Sequence, residues 1–292
     1  MVRSYEAFMR IALEEAKTSL REGNNGFGAV IAAGDQVIAR AHDGEKTEAD
    51  PTSHAELNAI RLASRIPGVS FGDCVLVSTH EPCPMCATAI VWSGIKNLVY
   101  GYSISEAIAE GRNRINLTCR EIFERAKSGV AVHEGVLRDH CSMLYRRDVR
   151  DEVKRLRGVG PEQLASLSRS LREKRIRWYY RHRDEFDQEH GDLLLRGYRL
   201  VLAKLDIEPD DAPVVERTPD RIVFHSKNFC PTLEACRILG LDTRVVCRQM
   251  SEEPTDALLK QLDARLEFRR NYDALRPYCD HCEEMIVLLP EC

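Results

Sequence analysis

The sequence predicts an α/β protein in which helices cover both faces of a mixed sheet, followed by an α+β region. Two observations carry this. From Tyr5 to about residue 150 the pattern is helix, hairpin, then helix alternating with strand. Beyond the helix-breaking Gly158-Val159-Gly160-Pro161 it changes to long charged helices and only then to strands. Two domains are therefore expected, at residues 1–157 and 158–292, in line with roughly 150 residues each.

Residues Tyr5 to Glu22 place apolar groups at Phe8, Met9, Ile11, Ala12, Ala16 and Leu20, a helical spacing that stops at Gly23. Gly28 to Ala33 reads as a buried strand, and after the Ala33-Gly34-Asp35 turn Gln36 to Ala41 returns as its hairpin partner. A polar loop leads into a helix from His54 to Ser64. Next come a strand over Cys74–Ser78, a helix over Pro84–Ser93 and a strand over Asn97–Tyr102. Helices over Ser105–Glu110 and Cys119–Lys127, a short strand at Val130–Val132 and a helix from Arg138 onward complete the first half.

The chemistry concentrates in two short stretches. Pro51-Thr52-Ser53-His54-Ala55-Glu56 puts His-x-Glu at one helix start, and Glu81-Pro82-Cys83-Pro84-Met85-Cys86 puts Cys-x-x-Cys at another. A catalytic zinc takes three protein ligands and leaves one position open. His54, Cys83 and Cys86 have the right softness, and the two cysteines share one face of a helix beginning near Pro82. Unpaired N–H groups in that first turn favour thiolate over thiol. Glu56 is expected to carry a proton from water to a leaving nitrogen. The predicted outcome is attack of water on an amidine-like ring carbon with loss of ammonia. A closed structural site would need a fourth Cys or His ligand and would have no use for Glu56.

With these motifs in place, residues 1 to about 150 resemble the cytidine/deoxycytidylate deaminase superfamily, and within it the guanine-deaminase and tRNA-adenosine-deaminase branch. The matching text is Gly26–Val30, Asp50–Glu56, Glu81–Cys86 and Ser93–Gly101, in a region covering about half the chain. The resemblance implies a three-layer α/β/α cytidine-deaminase-like domain with a mixed five-stranded sheet, one catalytic Zn²⁺, and a homodimer or higher homo-oligomer. It also implies that Phe27, Gly28 and Ala29 lie near the bound base. Relatives of this branch carry a substrate-contacting asparagine eleven residues before the zinc histidine, where this chain has Asp43. An ionised aspartate only accepts, so facing the site it would prefer a ring N–H, an amine or sugar hydroxyls. The alternative is that Asp43 caps a turn before Gly44.

Trp92, on the helix carrying Cys83 and Cys86, is read as pocket wall or as core, with core favoured. His80 and His42 are candidates for the metal's outer shell, with satisfied loop or surface positions favoured. The Arg112-Asn113-Arg114 loop falls where family members select substrates, without an assigned contact.

The net charge of −4 disfavours non-specific nucleic-acid binding. No apolar run approaches the ~18 residues of a membrane span and no signal-peptide layout is present, so a cytoplasmic protein without a membrane partner is expected. The 11 cysteines read as thiols and metal ligands rather than a disulfide framework.

In the second half, Pro161 to Glu189 is helical and basic, with Arg172, Arg175, Arg177 and Arg181 around Trp178-Tyr179-Tyr180. Such a stretch could bind RNA, but interleaved acids favour a solvated face with one apolar stripe. A helix at Leu193–Leu205 is followed by strand-like text at Arg221–Ser226, Arg244–Cys247, Leu266–Arg270 and Met285–Leu288. Cys230-Pro231, Leu239-Gly240, Cys247, Arg269-Arg270 and His281-Cys282 resemble the L-2-amino-thiazoline-4-carboxylate hydrolase-like family. Cys230, Cys247, Cys279 and Cys282 are candidates for a second metal or iron–sulfur site, with buried structural thiols favoured.

Together these features predict a zinc-dependent hydrolytic deaminase of a small aminated heterocycle, a free nucleobase or nucleoside of the guanine or cytosine type. The alternatives are a tRNA adenosine deaminase and a metal-binding sensor or scaffold with a vestigial site. The intact Glu56 speaks against the last.

Overall fold

The computed structural model describes residues 5–187 and 191–290, so the expected helix end at Glu189 lies outside the described residues. The chain forms two compact units, Met1–Lys154 and Arg155–Cys292. In the first, α1 (Tyr5–Glu22) precedes the hairpin β1 (Gly28–Ala33) and β2 (Gln36–His42). Then α2 (Ala55–Ala63), β3 (Cys74–His80), α3 (Pro84–Ser93) and β4 (Asn97–Tyr102) alternate. After them come α4 (Ile104–Ala109), α5 (Cys119–Arg125), β5 (Ala131–His133), α6 (Arg138–Met143) and α7 (Arg147–Leu156). The dividing point falls on α7, just ahead of the Gly158–Pro161 turn.

The five strands lie in the order β2-β1-β3-β4-β5. β1 is antiparallel to β2 and β3, whereas β3, β4 and β5 run parallel, giving the mixed sheet. Alternation along the strands sets the layers. Ala29 and Ile31 face a core shared with Ala55 and Ala59 of α2, Ile90 of α3 and Phe123 of α5. Gly28 faces α1, where a Cβ would sit 2.0 Å from the Ala12 carbonyl oxygen, so only glycine admits this close approach. Gly101 serves the same purpose under α6, where a Cβ would meet Cys141 Sγ at 2.2 Å. α1 fastens its side of the sheet with Phe8, Met9, Leu13 and Leu20, all buried, each such side chain stabilising by about 1.5–3 kcal/mol. The result is a three-layer α/β/α unit.

Three boundaries differ from the expectation for identifiable reasons. β3 runs on to His80 because its parallel pairing with β4 continues to His80 opposite Tyr102. α2 begins after His54, whose extended backbone (φ −84°, ψ 151°) makes it the N-cap. α4 starts at Ile104 because Ser103 and Glu106 close a capping box.

The second unit comprises α8 (Pro161–Asp187), α9 (Leu193–Leu205), β6 (Val214–Arg217), β7 (Arg221–Ser226), α10 (Pro231–Leu239), α11 (Thr243–Cys247), α12 (Glu253–Leu262), β8 (Leu266–Arg270) and β9 (Cys282–Leu288). Its sheet is antiparallel throughout, in the order β6-β7-β9-β8. Tyr179, Tyr198 and Leu258 from α8, α9 and α12 pack in one core with Phe224, Phe268 and Ile286 of the sheet. Arg244–Cys247, expected as strand, is helical: the Asp242 carboxylate accepts from Arg244 N at 2.9 Å and caps α11. A pair of adjacent valines had supplied the strand signal.

The basic stretch of α8 is a packed helix. Tyr179 and Arg175 are buried, and Arg175 donates to Ser251 O at 3.1 Å and Thr255 Oγ1 at 2.5 Å. Arg172 and Arg177 lie beside Glu253 and Glu173. Among the described residues no helix is long and apolar enough to cross a membrane.

Candidate active site

His54 caps α2 and Cys83 caps α3, with Pro84 in its first turn. Both side chains therefore hang from rigid helix starts at the same end of the sheet. His54 Nδ1 lies 3.5 Å from Cys83 Sγ and 3.4 Å from Cys86 Sγ, and the two sulfurs are 3.7 Å apart. Zn–S and Zn–N bonds of ordinary length in a tetrahedral site separate the ligand atoms by about 3.8 Å (S–S) and about 3.6 Å (S–N). The observed triangle matches one face of that tetrahedron, so the donor set fits zinc in both chemistry and spacing.

On the far side of the imidazole, Nε2 lies 3.4 Å from Glu45 Oε1, and the other oxygen of Glu45 accepts from Asn25 Nδ2. A carboxylate at that nitrogen orients the ring and directs Nδ1 at the thiols. Cys83 is pulled down to about 4, first by its hydrogen bond with Cys86 and further by His54, against the opposing effect of burial. His54 is correspondingly held up to about 9, first by Cys83. A metal ion arriving here would displace the shared protons.

Glu56, in the first turn of α2, is 5% exposed, and its Oε1 accepts from Ser78 Oγ at 2.9 Å. Burial pushes its carboxyl upward, and the charge on Cys83 adds to the effect. A carboxyl raised in this way holds a proton more readily than a free one and can pass it on. His80, expected in a loop or on the surface, is instead buried at the end of β3, its ring 5.2–5.6 Å from those of Phe27, Tyr102 and Tyr145. Its Nδ1 pairs with the Glu81 carbonyl at 2.9 Å. A carbonyl only accepts, so the proton sits on Nδ1 and Nε2 is an acceptor, without a partner among the described residues. Burial lowers the His80 pKa to about 4, and the ring is neutral.

His54, Glu56, His80, Cys83 and Phe27 line one cavity of about 630 Å³, with Cys86 buried behind them. The other expected contacts are not on its wall. Asp43 is fully buried and its carboxylate is spent locally, accepting from Ser19 Oγ at 2.5 Å, Asn25 N at 2.8 Å and Phe27 N at 2.9 Å. It neither faces the cavity nor caps a turn at Gly44; it shapes the loop that presents Phe27. Gly28 gives its N–H to Thr79 Oγ1 at 3.1 Å, and Ala29 is enclosed in the sheet core. Trp92 is 85% exposed and so belongs to neither wall nor core, because its position on α3 turns away from α2 and the sheet. His42 is tied to Glu15 and Glu22 at 2.9 and 3.1 Å.

Four arginines on the lining, Arg112, Arg114, Arg147 and Arg150, were not assigned from the sequence. Arg112 and Arg114 stood in a loop without a motif. Arg147 and Arg150 on α7 look in sequence like any solvated helix face.

In the second unit, the four candidate cysteines do not assemble. Among the described residues, the close groups of metal-ligating atoms there are His225–His281–Glu283 and Cys279–Asp280–His281; Cys230, Cys247 and Cys282 belong to neither. Burial pushes the Cys247 thiol up to about 12 and the Cys230 thiol upward as well, which disfavours the thiolates a metal would need.

Residues 2–102 match the family model of the cytidine and deoxycytidylate deaminase zinc-binding region. The guanine deaminase of Bacillus subtilis is 37% identical over 110 residues, 37% of this chain and 70% of the relative. The tRNA-specific adenosine deaminase of the same organism is 33% identical over 156 residues, 52% of this chain and 94% of the relative. A solved guanine deaminase from Nitrosomonas europaea is 26% identical, over 50% of this chain and 85% of that chain, with a TM-score of 0.41. The family model and the relatives place the chain among deaminases with a zinc-binding region. The chain belongs to the cytidine and deoxycytidylate deaminase family.

Proposed function

We propose that the protein is a hydrolytic deaminase of a small aminated heterocycle, a free nucleobase or nucleoside of the guanine or cytosine type. His54, Cys83 and Cys86 would hold one zinc ion, and Glu56 would move the proton. The observation that carries this is the ligand triangle set beside a buried carboxyl on the wall of one cavity. Zinc, when bound, acidifies water and so supplies a nucleophile at neutral pH. The chain does the rest. Glu56, fixed by Ser78, accepts the proton that water gives up and returns it to the exocyclic nitrogen, which leaves as ammonia, while the added hydroxyl gives its remaining proton to the ring nitrogen and the ring carbon becomes a carbonyl. Phe27 offers an aromatic face to the ring. The small-molecule class is supported by the guanine deaminase match and by a cavity volume typical of small-ligand sites. The protein is taken as a cytoplasmic homo-oligomer.

The test is ammonia release from a panel of bases and nucleosides by the zinc-loaded protein. Glu56→Ala should lower turnover by about 10²–10⁴-fold while zinc content stays the same. Unchanged turnover in that variant would remove Glu56 from the chemistry. A tRNA adenosine deaminase is the second assignment, favoured by the match over 94% of the B. subtilis enzyme. Including tRNA in the same panel decides between them.

A further inference from the structure

The second unit gathers metal-ligating side chains away from the thiols expected to do so. One ring nitrogen each of His225 and His281 and a carboxylate oxygen of Glu283 lie within 4.8 Å of one another. His225 on β7 and Glu283 on β9 are direct partners in the antiparallel register, so both side chains leave the same face of the sheet. His281 ends the segment that joins β8 to β9, and its ring stacks on His225 with centroids 3.7 Å apart. All three side chains are half-buried, and an ion can reach them from solvent.

The spacing is that of ligands rather than of an ion pair. His225 Nε2 stands 3.4 Å from Glu283 Oε2. An ordinary hydrogen bond to nitrogen is shorter, at about 2.7–3.2 Å. Nitrogen and oxygen ligands of a tetrahedral zinc ion, each about 2.0–2.1 Å from the metal, are about 3.3 Å apart. The surrounding contacts are also those of a metal centre. Glu283 accepts from Asn271 Nδ2 at 2.8 Å through its other oxygen, which leaves Oε2 for His225. Asp280 Oδ1 lies 2.6 Å from His281 Nδ1, and Asp280 Oδ2 lies 3.3 Å from Lys227 Nζ. A carboxylate at Nδ1 fixes the proton there and leaves the Nε2 lone pair for a ligand bond. The two imidazole planes differ by only 18°, so one ring has to turn to bring both lone pairs to a common point. The terminal torsion of histidine is broad enough to allow that turn. Cys279 stands in a neighbouring ligand group with His281, but its thiol is engaged by the His281 carbonyl at 2.9 Å.

We propose that His225, His281 and Glu283 form a second metal site, which takes a divalent first-row ion such as Zn²⁺. Two imidazoles and one carboxylate are a zinc donor set that leaves a fourth position open. The ion would tie the segment 271–281 to β7 and β9, because its ligands come from both strands and from the end of that segment. This site shares no residue with the triangle of His54, Cys83 and Cys86, and it does not depend on the deaminase assignment.

Cobalt(II) tells the two sites apart, because thiolate ligands give it a strong charge-transfer absorption that imidazole and carboxylate ligands do not. Titrated into the whole metal-free chain, two equivalents should bind, and only one of them should carry that absorption. Equilibrium dialysis counts both. His225→Gln and Glu283→Gln should each weaken the sulfur-free equivalent by more than about 100-fold and leave the thiolate absorption unchanged. Asn271→Ala removes only an outer partner and should weaken the same equivalent by about 10–100-fold. Thiolate-bound cobalt with nothing further bound to the wild type would overturn the proposal without any variant. So would a second equivalent that carries thiolate absorption, or one that both glutamine variants retain. A single sulfur-free equivalent, lost in His225→Gln, would instead sink the zinc assignment at His54 and leave this site standing.

Discussion

Two sets of thiols in this molecule show what separates a candidate ligand group from scattered buried thiols. Cys83 and Cys86 stand at the start of α3, 3.7 Å apart and in contact with an imidazole nitrogen at 3.5 and 3.4 Å. Cys230 also caps a helix beginning with proline, α10, so the local sequence looks alike. Yet its thiol is pushed upward by burial, and it belongs to no group of three close ligand atoms among the described residues. A helix start does not make a metal site. A second element converging with a histidine supplies the geometry of one, and in the first unit β2 and β3, both antiparallel to β1, bring the two helix starts to one sheet end. Carboxylates repeat the contrast within that unit. Glu56 and Asp43 are both buried, but one reaches the cavity and the other is consumed by backbone N–H groups.

The largest expected effect breaks the comparison between the thiols directly. Cys83→Ala should weaken zinc binding by more than about 100-fold, since even an outer partner of a ligand is worth 10–100-fold, and ammonia release should fall with the metal. Cys247→Ala should leave zinc content and turnover as they were and cost about 1–2 kcal/mol of stability at most. Metal analysis and denaturant titration of both variants check this. Loss of stoichiometric metal on Cys247→Ala would restore a thiol-held metal to the other unit.

How much of this was legible beforehand follows the same division. The ligand set and Glu56 stood out because zinc chemistry demands particular residue types at short spacings, which a sequence records directly. The mixed sheet was legible because β1, β3 and β4 are apolar runs bounded by turns and helix starts. Arg150 was not, because its position on the wall depends on how α7 meets the loop after α4, a tertiary fact without a local signature. His80 was favoured as a loop or surface histidine because the strand was ended at Ser78, and its pairing opposite Tyr102 carries it into the core. Arg244–Cys247 failed for a different reason: a pair of β-branched residues is overridden by one capping aspartate.

A middle-sized effect sharpens the carboxylate half of the comparison. Asp43 accepts three hydrogen bonds, two of them from backbone N–H groups of the loop that carries Phe27. Asp43→Asn keeps the shape but replaces one acceptor oxygen with an N–H₂ facing donors, so a loss of about 1–3 kcal/mol is expected. Phe27 would be held less firmly, and KM should rise for every substrate by a similar factor. A change of preference among heterocycles, with stability untouched, would instead put the Asp43 carboxylate in contact with the ring.

The smallest effect concerns the histidines. His54 faces thiols, whereas His42 faces two carboxylates, Nδ1 at 2.9 Å from Glu15 and Nε2 at 3.1 Å from Glu22. Burial works to lower the His42 pKa, but hydrogen bonds and charge from Glu15 and Glu22 outweigh it and leave it raised above 6.5. A raised folded-state pKa means the folded form binds the proton more tightly than the unfolded chain. The stabilisation is then complete below pH 6.5 and disappears as pH climbs through the folded-state value. With the side chain 25% exposed, the pair falls in the range of about 0.2–1 kcal/mol. Melting curves from pH 5.5 to 9 should therefore show the wild type losing slightly more stability than His42→Gln across the alkaline half of that range, with the two converging at the top. Parallel curves would mean that the imidazole stays neutral in the fold, and that Glu15 and Glu22 hold it by hydrogen bonds alone.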